Sequence, residues 1–405
     1  MSNLSQALEL AAALPSGHRW NQIWEIATKL ERPEIEQLDA VLASWPDDLR
    51  VARTADVIDE PRSALLLARR LELAQGVIER AHIERLYASQ LVRRLRSLAL
   101  FSLETKLDAI EAVAGHDVLP ELVELQLGTA DLDAASAIIA DSQLPIRILT
   151  FEGGSATDQG LRSLSAGRGL QRVEHLQYHD VNVEDDGVAV LAESARWAQL
   201  VHLRISYAGL GRAGAIALAN SPHLRRLRTL DLRLTHVGAD GIAALASSDV
   251  ARTLSELYLD EAELGARGVR VLATGWAGGR LRVLGLGHNR SSSMLSPDWQ
   301  VGPDATRSLA NAGWTTELVR LDLAGNAIGD AGAHALAYSQ CFPALRELDL
   351  SMNDISDVGI EAIVAGQLLR QLDVLRLEHT TLSEVALDTL WDVCERHQVR
   401  LVTSW

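Results

Sequence analysis

Lysine is nearly missing from this 405-residue chain: Lys29 and Lys106 stand against 36 arginines. The simplest source of that bias is codon composition in a GC-rich genome, which points to a bacterium and carries no mechanism. Cysteine is as scarce, with Cys341 and Cys394 alone, so no disulfide framework is expected and a reducing compartment suits the chain. There is no stretch of 18 apolar residues to span a bilayer, and the opening segment MSNLSQALELAAALPSGHRW lacks a basic start followed by an unbroken apolar core. A cytoplasmic protein that contacts no membrane is the expectation. Basic charge is outweighed too: the formal net charge is −16, which opposes general attraction to nucleic-acid phosphates. Two local basic runs, LVRRLR at 91–96 and RRLR at 225–228, stand where a helix hands over to the next strand and read as solvated charge. Catalytic signatures are also missing. Without GxxxxGK, GxSxG, HExxH or CxxC, phosphate-loop, nucleophile-elbow, zincin and thiol-redox chemistry have no anchor, and the expectation is a non-enzyme with no cofactor.

What is present is a period. Aliphatic residues open an LxxLxLxx pattern at Val173, Leu200, Leu227, Leu254 and Leu281, then at Leu318, Leu345, Leu372 and Val399, 27 residues apart within each series. Earlier members are Leu95, Leu122 and, three residues short, Ile146. Self-similarity at a fixed period marks stacked structural repeats. In the period that begins at Leu318, the alternation with Leu321 and Leu323 predicts a short strand with one buried face. Asn326 and Ile328 then turn the chain, and Gly332, Ala335 and Leu336 fall at helical spacing, so an amphipathic helix should pack behind each strand. A glycine recurs 14 residues after the opening position, at Gly160, Gly187, Gly214, Gly241, Gly268, Gly332 and Gly359. Its missing side chain is expected to let the helix approach the sheet closely.

These residues resemble the leucine-rich repeat family, and the segments GDAGAHALA and GADGIAALA look most like its helix-containing, ribonuclease-inhibitor-like branch. The resemblance covers roughly 68–405. It implies an α/β solenoid, or horseshoe, with a parallel concave sheet and convex helices. The family's turn asparagine is present at Asn289, Asn326 and Asn353, whereas Ala130, Gly154, Val181, Ala208, Thr235, Ala262 and Thr380 occupy the same slot elsewhere. The side-chain ladder is therefore broken across much of the chain.

Residues 1–67 do not keep the period and read as a helical N-terminal cap or small domain, with Trp20 and Trp24 one turn apart and Pro33 suited to a first helical turn. Residues 68–405 then form a solenoid of about 12–13 repeats. A cap that closes the first repeat and a separate partner-binding domain both remain open for the first segment.

Binding residues are expected where outward strand positions line the concave face. In the middle repeats these include His175, His179, His202, Arg204, Tyr207, Asp231, Arg233, Tyr258, Asp260 and Glu261. The set is rich in groups that combine hydrogen bonding with contact area, although outward strand positions are polar in any case. Neighbouring strands set His175 and His202 ~4.8 Å apart, while His179 lies ~13 Å along from His175, so no third ligand completes a metal site and none is expected. The one irregular step, an insertion over 290–300, carries Arg290, Met294, Leu295 and Trp299. Either these form a binding lip at the sheet edge or they fold back on neighbouring turns. The reading is a protein-interaction module that acts as scaffold, inhibitor or recognition subunit. Its acidic outward residues call for a protein partner with a basic contact surface. The alternative is a regulator that activates a small GTPase through Arg290.

Overall fold

A computed structural model describes residues 2–53, 63–74, 76–115, 117–289, 300–380 and 382–403. The chain divides into two compact units, Met1–Asn182 and Val183–Trp405.

The first unit begins with α1 (Asn3–Ala11), α2 (Gly17–Ala27) and α3 (Arg32–Val41). Ser2 and Ser16 cap the first two by accepting the N–H of Ser5 and Arg19, and Glu31 with Glu34 forms a capping box ahead of Pro33 in the third. Their apolar faces meet in one core built on Ala7, Trp20, Ile23, Ile35, Leu38 and Trp45, which also takes in Ala64 and Leu67. Polar groups tie these helices to the first repeats. Trp20 Nε1 donates to the carbonyl of Val51 (2.6 Å), and Asp39 accepts from Arg50, Arg69 (3.0 Å) and Arg94. Arg50 is 1% exposed and also donates to the carbonyls of Leu42 and Leu67. Burial of the Asp39 carboxylate is tolerable because three guanidinium groups surround it.

Strand and helix then alternate: β1 (Val51–Arg53), β2 (Arg70–Leu73), α4 (Arg80–Ala88), β3 (Ser97–Leu100), α5 (Leu107–Ala114), β4 (Glu124–Leu127), α6 (Leu132–Ile139), β5 (Ile148–Glu152), α7 (Asp158–Ala166) and β6 (His175–His179). The strands pair in chain order and all are parallel. Leu71, Leu98, Leu125, Leu149 and Leu176 share one register row and are buried. A leucine in register on each strand makes a continuous core, which is how stacked repeats close one another's apolar faces.

The second unit continues with α8 (Asp185–Glu193), β7 (His202–Ser206), α9 (Arg212–Ala219), β8 (Thr229–Asp231), α10 (Gly238–Ala246), β9 (Glu256–Tyr258), α11 (Gly265–Gly275) and β10 (Val283–Gly285). After the insertion come α12 (Gly302–Ala310), β11 (Arg320–Asp322), α13 (Gly329–Ala337), β12 (Glu347–Asp349), α14 (Asp357–Ala365), β13 (Val374–Arg376), α15 (Glu384–His397) and β14 (Arg400–Val402). These strands too are parallel and in order, with Leu203, Leu230, Leu257, Leu284, Leu321, Leu348, Leu375 and Leu401 in one buried row. The insertion therefore leaves the register of β10 with β11 intact.

The three turn asparagines work across repeats. Asn326 is 1% exposed; its Nδ2 donates to the carbonyls of Leu286 (2.8 Å) and Leu323 (3.0 Å), while its Oδ1 accepts from the N–H of Asn289 (2.9 Å). Asn353 repeats the pattern one period on, accepting from Asn326 N–H at 2.8 Å. Threonine substitutes partly: Thr235 and Thr380 donate only to carbonyls of their own turn, Leu232 and Leu377.

The recurrent helical glycine serves a different neighbour from the one expected. A Cβ added at Gly160, Gly214 or Gly359 would lie 2.8, 2.8 or 2.5 Å from a carboxylate oxygen of Asp133, Asp185 or Asp330 on the preceding helix. The same carboxylates accept the glycine N–H at 2.8, 2.8 and 3.0 Å. The glycine thus lets one helix start against the preceding helix, not against the sheet, and at Gly214 and Gly359 the aspartate satisfies an otherwise orphan N–H of that start. Among the described residues, no helix is long and apolar enough to cross a membrane.

Candidate functional site

Helices cover one face of the strands, so their outward side chains line the other. In the second unit one outward row runs Arg204, Asp231, Tyr258, Gly285, Asp322, Asp349 and Arg376 in register. Its early part is a bonded network. Asp231, only 3% exposed, accepts from Arg233 at 2.9 and 2.6 Å and lies 3.4 Å from Arg204. The Arg233 guanidinium sits over the Tyr258 ring, 5.2 Å from its centroid, a cation–π contact. Its bond to Asp231 holds Arg233 more firmly protonated than usual. Tyr258 donates to Glu256 at 3.3 Å, and burial, reinforced by Glu256, raises its pKa. Asp231 therefore aims Arg233, and Arg204, Arg233 and Tyr258 are the groups offered to solvent.

The later part of the row is acidic and floored by glycine. A Cβ at Gly285 would collide with Asp260 Oδ2, and one at Gly287 would meet Asp260 Oδ1 at 3.0 Å and Asp322 Oδ1 at 3.3 Å. Two carboxylates thus lean over β10 from opposite sides because that strand has no side chains there. Asp260 accepts from Gly287 N–H (2.7 Å) and Asp322 from Ala324 N–H (2.9 Å), yet neither forms an ion pair among the described residues. Burial raises the pKa of Asp260. It pushes Asp322 up to about 6, with Asp260 and Asp349 adding to the effect against the opposing Ala324 N–H and Arg320.

His175 and His179 stand half-buried on β6 of the first unit, opposite Ile148 and Glu152. His202 is half-buried on β7 beside Thr229. Tyr207 (49% exposed) and Glu261 come just after β7 and β9 at φ 53° and 54°, the left-handed region, which projects both at the rim. Arg290, Met294, Leu295 and Trp299 lie outside the described residues. Asp322 and Asp349 were expected among the acidic residues of the concave face that call for a basic partner, though not singled out as binding residues, because the tripeptide LDL that carries each is ordinary for such a strand. Their signal was the pair of glycines at 285 and 287, which leaves room above β10. Among the described residues, no group of three or more His, Cys, Asp or Glu is placed to hold a metal ion.

The family model described as Leucine Rich repeat matches residues 223–246, 316–337 and 343–364. The chain carries leucine-rich repeats and has their solenoid fold. Among solved structures it is similar to that of the Rad7 and Elc1 complex in yeast, at 15% identity over 95% of this chain and 90% of that one, with TM-score 0.51. The structure of the TLR13–ssRNA13 complex matches at 17% identity over 82% of this chain, TM-score 0.48, and this leucine-rich repeat chain spans only 42% of that protein. An internalin from Listeria monocytogenes matches at 14% identity over 97% of this chain and 98% of its own, TM-score 0.40. Identities this low speak for the fold alone. No curated protein matches the chain by sequence.

Proposed function

We propose that this leucine-rich repeat protein binds a protein partner on the open sheet face of its second unit, as scaffold, inhibitor or recognition subunit. The mechanism is complementarity rather than chemistry. The observation that carries the reading is the pair Asp260 and Asp322, which converge over Gly285 and Gly287 and form no ion pair among the described residues. A lysine or arginine from a partner would supply the missing charge, so the matching surface is basic. Arg204, Arg233 and Tyr258 flank the acids with residue types that dominate binding energy. The related yeast fold was crystallised as a complex of Rad7 with Elc1, in keeping with a protein partner.

The test uses the full chain and a fluorescent deca-lysine peptide, titrated at low and at physiological salt. Binding that weakens about tenfold in Asp260→Asn/Asp322→Asn supports the reading, since each ionic contact contributes roughly 1 kcal/mol or more. Unchanged binding at low salt overturns it. Stimulation of GTP hydrolysis that disappears in Arg290→Ala would replace it with GTPase activation.

A further inference from the structure

A second charged surface has the opposite sign. In a parallel array, every connection from a helix to the next strand falls on the same edge of the sheet. In the second unit, the connections into β8, β9 and β10 carry Arg225, Arg226, Arg228, Arg252, Arg280 and Arg282, all exposed, against one carboxylate, Asp249. Asp249 pairs with Arg252 at 3.7 Å, and among the described residues none of the other five arginines meets a carboxylate within 4.0 Å. A local excess of five positive charges in a chain of net charge −16 is a segregated patch.

Geometry makes it a linear one. Ser255 N–H donates to the carbonyl of Arg228 (2.8 Å) and Arg282 N–H to that of Ser255 (2.7 Å), so the three residues stand side by side on successive strand entries. Arg228 and Arg282 are therefore two strand spacings apart, ~9.6 Å. Arg225 also donates to the carbonyl of Pro222 (3.0 Å), and Arg228 to that of Thr253 (2.7 Å). Those bonds pre-position two of the guanidinium groups and leave their other N–H donors outward. Arg280 and Arg282 have no acceptor among the described residues.

We propose that this strand-entry edge docks a short acidic segment of a protein partner, its carboxylates paired with Arg225, Arg228, Arg280 and Arg282. Guanidinium forks match carboxylates bidentately. A short segment is favoured over an extended polyanion because the patch spans only three connections. Asp249 lies within it, and Asp231 and Glu256 follow it on β8 and β9, where like charges repel over the ~8–10 Å that charges act across at physiological salt. A nucleic-acid strand or an anionic membrane would extend past the arginines and meet that repulsion, whereas a few consecutive carboxylates would not. The inference stands apart from the acidic open face and survives if that reading fails.

The experiment is fluorescence anisotropy on the full chain with a labelled deca-glutamate peptide, alongside a labelled 15-nucleotide poly-dT strand and vesicles containing phosphatidylserine. Expected is binding of deca-glutamate that falls steeply with salt, drops about tenfold in Arg225→Gln/Arg228→Gln/Arg282→Gln, and stays unchanged in Arg267→Gln, whose guanidinium pairs with Asp240 at 2.7 Å on the helical side. If the triple variant loses its far-ultraviolet dichroism, Arg228→Gln and Arg282→Gln singly should each weaken binding about threefold. No binding at 50 mM salt, equal binding by the variants, or tighter binding of the poly-dT strand or the vesicles would each overturn the proposal.

Discussion

Replacing Asp322 with asparagine should stabilise this protein at neutral pH and not in mild acid. The carboxyl is pushed up from its ordinary 3.8 to about 6, first by burial and then by Asp260 and Asp349. In the unfolded chain it ionises near its ordinary value. Between about pH 4 and 6 the folded state therefore holds a proton that the unfolded state has released, and stability rises as pH falls through that window. Above about pH 6 the folded state carries the full cost of the buried charge. At ~1.4 kcal/mol per pH unit the shift corresponds to about 3 kcal/mol. Asp322 is only partly buried, so solvent screening reduces this to about 1–2 kcal/mol. Asparagine keeps an acceptor for Ala324 N–H, now 2.9 Å away, and loses only the charged character of that bond, a few tenths of a kcal/mol. Urea unfolding monitored by tryptophan fluorescence at pH 7.5 and pH 4.5 would measure the difference. The expected result is a gain of about 1 kcal/mol at pH 7.5 and none at pH 4.5. A loss at pH 7.5, or a gain equal at both pH values, would refute the reasoning.

Other parts of the frame answer to different perturbations. Asn326→Ala removes three buried hydrogen bonds and orphans the carbonyl of Leu286, so thermal unfolding should show a loss of about 2–4 kcal/mol; a loss below 1 would mean that water or a shifted turn replaces the ladder. Gly359→Ala drives a Cβ to 2.5 Å from Asp330 Oδ1 and from Ile355 Cγ2 and should cost about 1–3 kcal/mol, whereas Gly275→Ala, with nothing within 4 Å, should lie within ~0.5 kcal/mol of neutral. Equal effects at the two glycines would remove the helix-to-helix account. Asp39→Asn leaves Arg50 buried without its counter-charge and should cost about 3–5 kcal/mol. Because we propose that the helical part of residues 1–67 closes the first strands as a cap, hydrogen exchange should then accelerate in β1 and β2 as well as in α3; exchange confined to α3 would indicate a segment that moves by itself.

The leucine spacing made the strands and their register legible. A 27-residue step that keeps Leu230, Leu257 and Leu284 on one row can only be satisfied by parallel, in-register pairing. The helices were legible from the same step. Harder to read were bonds whose partners lie a whole period apart at positions with no apolar pattern. Asp133, Asp185 and Asp330 look like solvated helix residues in sequence, yet each secures the start of the next helix. The glycines they contact showed that a side chain was excluded, but the sequence does not say by what. Gly285 and Gly287 were harder still: they read as blank positions on a binding face. Their emptiness is what allows Asp260 and Asp322 to approach each other, a consequence visible only once the strands are placed side by side.

That contrast separates the frame from the surfaces it presents. Turn asparagines, helix-start aspartates and the leucine row each satisfy a backbone group or fill core volume, so their structural role accounts for them. Asp260 and Asp322 fill no core and pair with no cation among the described residues, and burial raises the pKa of both. The two backbone N–H groups they accept could be served by neutral asparagines without the charge repulsion. Arg280 and Arg282 likewise satisfy nothing among the described residues. Charge that costs stability, or adds none, has no structural role among the described residues, and the proposed partners would supply its counter-charge. The same logic assigns opposite partners to the two surfaces: a basic one over β10 and an acidic one along the entry to β8, β9 and β10. A single ligand that carries both signs could reach both, because Arg282 and Gly285 are three residues apart on one strand and its approach. If so, combining Asp322→Asn with Arg282→Gln should weaken that ligand by more or less than the product of the single effects, since coupled contacts are not additive; strictly multiplicative losses would mean two independent partners.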